Sequence, residues 1–81
     1  MKYQRYNKRT RVKAILNVPV LREWMDQNDM TIDDLSLKSD VSSRTIKYWL
    51  KGRTVTLTNR KNLSKATGIE PKVLFKYTFI S

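Results

Sequence analysis

Apolar residues recur at helical spacing along most of the chain, and each repeat is broken by residues that start or stop helices. Val18, Leu21, Trp24 and Met25 mark one face. Pro19 suits the first position of that helix, where a missing N–H costs nothing, and the pattern fades near Asn28 or Asp29. Thr31 is a good N-cap for a second helix over 32–38, with Asp33 and Asp34 in its first turn and Leu35 inward. Ser39 and Asp40 make a turn that Val41 plugs. Ser42 caps a third helix over 43–51, in which Ile46, Trp49 and Leu50 form the apolar stripe and Gly52 the left-handed stop. After a loop or extended link at 53–58, Thr58 or Asn59 caps a fourth helix through Thr67, with Leu63 and Ala66 inward and Gly68 ending it. Pro71 opens a short fifth helix holding Val73, Leu74 and Phe75.

The two ends follow another period. Residues 12–18, VKAILNV, are β-branched and apolar enough for a short strand, and the tail KYTFIS alternates. Pairing of 12–16 with 76–80 would set a small two-stranded sheet beside the helices. The expected fold class is therefore all-α: five compact helices plus that small sheet. A basic arm at 1–13 precedes a domain at 14–76, and a tail at 77–81 remains for a strand or a dimer contact. Trp24, Trp49 and Phe75 are expected in the core. Eighty-one residues make one small domain, and chains of this size bury only ~60% of their unfolded surface.

Charge changes the picture through its distribution. The chain carries +10, and no apolar run is long enough to span a membrane. Residues 1–22 hold +7, residues 23–40 hold −5 and residues 41–81 hold +8. A basic chain with a segregated acidic segment has the electrostatic footprint of a polyanion binder; the plainer alternative is solubility. The arm contributes Lys2, Arg5, Lys8, Arg9, Arg11 and Lys13. Such arms commonly follow a nucleic-acid backbone as polyelectrolytes. Cysteine and histidine are both absent. Thiolate zinc sites and Cys or His catalysis are thereby excluded, and the lack of cysteine fits a reducing cytoplasm. The sequence offers no metal cluster, nucleophile–base pair or phosphate loop, so neither an enzyme nor a cofactor is expected.

Two short helices joined by a brief turn, the second capped by Ser, make a helix-turn-helix. Leu35, Val41, Ile46 and Trp49 lock such a pair at a steep angle, and Ser36 must be small where the helices cross. From about Val20 to Phe75 the chain resembles the Cro/repressor helix-turn-helix family, the lambda-repressor-like DNA-binding domains. The residues that carry the resemblance are Thr31-Ile32-Asp33-Asp34-Leu35-Ser36, Val41-Ser42-Ser43-Arg44-Thr45-Ile46, Trp49 and Lys51-Gly52. Leu63, Ala66, Gly68-Ile69, Pro71 and Leu74 continue it. The family usually has Gln where this chain has Ile32, a turn glycine where it has Asp40, and often a charged residue where it has Leu50. Arg60, Lys61 and Thr67 stand at positions often apolar.

The resemblance implies a sequence-specific transcription regulator, often phage- or mobile-element-borne, that binds a double-stranded operator in a bacterial cytoplasm, commonly as a homodimer. Matching the family's motif assigns base readout to Ser43, Arg44 and Tyr48, with Lys47 close by. Arg44 is the candidate for a bidentate contact to guanine O6 and N7. Backbone contacts fall to Thr31, Ser42, Thr45, Lys51, Arg53, Thr54, Thr56, Asn59 and Arg60. For each cation the bland alternative is a solvated helix face or loop, and Tyr48 could instead wrap the core. Leu74, Phe75, Tyr77, Phe79 and Ile80 offer a dimer surface. The acidic first and second helices should turn away from DNA, available to polymerase or another protein. A second function class is an antirepressor or modulator that uses the same fold to bind another repressor, which Ile32, Leu50 and the tail YTFI permit.

Overall fold

The computed structural model describes residues 11–80. Lys2, Arg5, Lys8 and Arg9 of the basic arm lie outside them. The element order is β1 (Arg11–Leu16), α1 (Val18–Gln27), α2 (Ile32–Ser39), α3 (Ser43–Leu50), α4 (Leu57–Thr67), α5 (Pro71–Leu74) and β2 (Phe75–Ile80). The five helices and the two-stranded sheet match the expected architecture, with shifts at several element boundaries.

The strands pair antiparallel, from Arg11 opposite Ile80 to Leu16 opposite Phe75. The sheet thus crosses both expected domain limits, at 13/14 and 76/77. The strand expected over 12–18 ends at Leu16, because Val18 enters α1 at Pro19. Asn17 joins the two elements to the far end of the chain: its backbone N–H donates to the Leu74 carbonyl at 2.8 Å and its side-chain amide to that of Val73 at 3.3 Å. Phe75, expected in the last helix, is instead the first residue of β2, with extended φ −125° and ψ 153°. That places its ring beside Leu16 in the sheet pairing, fully inside the core.

The largest shift is at α4. Its cap is Thr56, not Thr58 or Asn59; the Thr56 hydroxyl accepts from the Asn59 N–H at 3.4 Å. Val55 is the cause. It is buried, its N–H donates to the Ala14 carbonyl at 2.8 Å, and Thr54 bridges to Ile15. The expected link is thus pinned as a stub of a third strand, which leaves Thr56 extended and ready to cap.

The core is Ala14, Leu16, Leu21, Leu35, Val41, Ile46, Trp49, Val55, Leu63, Leu74 and Phe75. Trp24 and Ala66 are only half-buried. Thr67 takes a buried position instead, its hydroxyl donating to the Leu63 carbonyl at 3.0 Å and accepting from the Ile69 N–H at 3.2 Å. A buried hydroxyl satisfied this way avoids the penalty of an unpaired polar group. Leu74 and Phe75 are spent on the monomer core, so they cannot form the dimer surface expected of them.

Candidate nucleic-acid interface

The turn between α2 and α3 decides where the exposed face of α3 points. A reciprocal capping box starts α2: the Asp34 N–H donates to Thr31 Oγ1 at 3.1 Å, and the Thr31 N–H donates to Asp34 Oδ2 at 3.0 Å. The Thr31 backbone donor, helped by the Thr31 side chain, holds the Asp34 carboxyl below its ordinary value. Ile32, where the family's Gln would stand, packs half-buried against the core. Asp40 ends α2 in the left-handed region, at φ 59°, replacing the usual glycine; Asp accepts this geometry more readily than most residues. Ser36 donates from its hydroxyl to the Val41 carbonyl and accepts the Val41 N–H at its own carbonyl. The small residue at the crossing therefore ties the turn to α2.

Ser42 then caps α3, accepting from the Thr45 N–H at 3.2 Å, with its hydroxyl 2.8 Å from that of Thr45. Ile46 and Trp49 are buried and Leu50 half-buried against the core. Arg44, Lys47, Tyr48 and Lys51 follow the spacing i, i+3, i+4, i+7 and share the opposite, exposed face. Tyr48 does not wrap the core. It is 44% exposed, and the Arg53 guanidinium sits 5.5 Å from its ring centroid. Among the described residues the ion pair found is Lys72 with Glu70, on α5. Among the described residues no carboxylate pairs with the cations of α3.

Thr54 and Thr56 are exposed along the pinned segment, with Lys13 exposed on the adjacent strand and the three lining one shallow groove. Arg11 shares that strand. Asn59 is half-buried in the first turn of α4. Arg60 departs from the expected set. Its guanidinium donates to the Val55 carbonyl at 2.8 Å and lies 5.6 Å from the Tyr77 ring centroid, so it clasps α4 to the pinned segment and β2.

Asp33 departs from expectation in the other direction. The acids of α2 were to turn from DNA, yet the Ser43 hydroxyl donates to Asp33 Oδ1 at 2.7 Å. The packing of α2 on α3 brings their first turns together, so one carboxylate stands at the start of α3.

A family model described as helix-turn-helix matches residues 21–74, from α1 through α5. The chain belongs to the Cro/C1-type helix-turn-helix family. That is a family of DNA-binding transcription regulators, not typically enzymes. Neither the curated proteins nor the solved structures give a match. The match begins after β1 and ends before β2, so the sheet lies outside the matched segment. No helix among the described residues is long and apolar enough to cross a membrane.

Proposed function

We propose that the protein is a sequence-specific regulator that binds a double-stranded operator with α3 in the major groove. The observation that carries this reading is the exposed face of Arg44, Lys47, Tyr48 and Lys51, paired with no carboxylate among the described residues, on the second helix of a helix-turn-helix. The major groove is about 12 Å wide and admits a helix. Arg44 is positioned near the N-terminal end, where recognition helices meet base edges, and is the proposed guanine contact. Ser43, Lys47 and Tyr48 complete the reading set.

Lys51, Arg53, Thr54 and Thr56 are proposed phosphate contacts, with Thr31, Ser42, Thr45 and Asn59 at the helix starts, where free N–H groups favour anions. Arg60 adds a contact only as far as its clasp to Val55 leaves hydrogen-bond donors free. The arm, Lys2 through Lys13, is proposed to add non-specific attraction. A Cro-like repressor of a phage or mobile element, working in the host cytoplasm, is the role this set suits best.

A homodimer on DNA is part of the same proposal. Its support is the exposed Tyr77 and Val12, which line one open groove with Pro71, and the unpaired outer edge of β2 among the described residues. The alternative, a modulator that binds another repressor, draws on the exposed Leu37 and Leu57, 85% and 58% accessible.

Selection of binding sites from randomised DNA at a fixed salt concentration separates these readings. A palindromic consensus with half-sites about one helical turn apart is the expected result. An unenriched pool, together with saturable binding to a partner repressor, would favour the modulator.

A further inference from the structure

The hydrogen bond between Ser43 and Asp33 has a consequence for which bases α3 accepts. A serine hydroxyl has one proton to donate and two lone pairs to accept with, whereas a carboxylate only accepts. At 2.7 Å the contact therefore consumes the Ser43 proton, at a length typical of a charge-assisted O–H to carboxylate bond. What Ser43 can still present is an acceptor. It does so from the first residue of α3, and its partner is ten positions away on another helix.

We propose that Asp33 is a positioning residue that sets specificity through Ser43. This rests on the reading of α3 as the base-reading helix. A free serine in the major groove serves any base, because its hydroxyl rotates to donate or accept. A serine whose proton is held by Asp33 favours bases that offer a hydrogen there. Those are adenine through its N6 amino group and cytosine through its N4 amino group. Guanine and thymine present O6, N7 and O4, all acceptors, and these face an acceptor backed by a carboxylate. The strand facing Ser43 should thus carry an amino base, A or C, and reject a keto base. The carboxylate also offsets part of the attraction for phosphate at the start of α3, so most of the charge-based attraction comes from Lys51, Arg53 and the arm.

The test compares wild type with Asp33→Asn, Ser43→Ala and the double variant. Each is bound to the selected site and to versions with every base substituted at each position. Asparagine keeps the size of the side chain but can donate to Ser43 as well as accept from it, so the serine proton is no longer committed. Loss of the charge raises affinity for all DNA alike, and that factor cancels in the ratios between sites. At one position wild type is expected to prefer amino over keto bases by roughly tenfold, within the usual cost of a mismatched pair. Asp33→Asn should bring that ratio to within about twofold. Ser43→Ala should do the same, and the double variant should add nothing further, the non-additivity of two residues acting as one unit. A ratio that Asp33→Asn leaves unchanged, or a change spread equally over all positions, overturns the proposal. If wild type itself has no preferred site, the base-reading role of α3 falls as well.

Discussion

Arg44 and Ile46 lie two residues apart on α3 and carry opposite duties. Ile46 is fully buried in the core. Its replacement by alanine should cost about 2–5 kcal/mol, as large-to-small core changes do. For a chain of this length the total is only roughly 4–12 kcal/mol at ~0.05–0.15 kcal/mol per residue, so thermal melting should show a variant near its limit. Arg44→Ala should leave melting almost unmoved and act on binding instead.

Thr31 and Asp34 make a different prediction. The Asp34 carboxyl is held below its ordinary value, so its contribution to stability is present above the unfolded value of ~3.9. It is lost as pH falls through the lower, folded value. Acid titration of stability should therefore be shallower in Asp34→Asn over that window, and an unchanged curve would show that the Asp34 charge contributes nothing there. Thr31 and Ser42 are legible as caps because capping is chemistry between near neighbours. The partnership of Asp33 with Ser43 was not, since it depends on the angle at which two helices cross.

At the scale of elements, the sheet is the part that sequence spacing located only roughly. The alternation at both ends was readable, but the register was not: no turn connects β1 to β2, and the helical body lies between them in sequence. Val55 was missed for a related reason. It sits among threonines in a segment that looks like a loop, and only its bond to Ala14 reveals it as core. The alternation Thr54-Val55-Thr56-Leu57 was the available signal. Because Phe75 fills the core from β2, Phe75→Ala should cost about 3–5 kcal/mol. A calorimetric scan showing a much smaller loss would mean that the sheet is an appendage rather than part of the domain. The helix-turn-helix itself was legible from Leu35, Val41, Ile46 and Trp49, all of which are buried. Its N-terminal helix boundaries held to within a residue, as Pro19 and Thr31 required.

For the whole molecule, charge dominates. The +10 total is distributed so that the acids concentrate in α1, α2 and their turns, while cations dominate the N-terminal arm and everything from α3 onward. If six phosphates are neutralised, affinity should fall by roughly 10³-fold between 50 and 200 mM salt. Removing Arg53 should reduce that slope by about one and weaken all sequences alike. A slope near zero would show that the positive charge serves solubility alone. Arg60→Ala is expected to behave differently, losing stability through its clasp on Val55 and Tyr77.

The central claim is that α3 reads base sequence through Arg44. Its most direct test is the affinity of wild type and Arg44→Ala for the selected operator and for each single-base variant of it, at one salt concentration. The expected result is a loss of about 1–3 kcal/mol on the operator, with preference relaxed at one base position and retained at the others. Equal weakening on every sequence would contradict it and make Arg44 a phosphate contact.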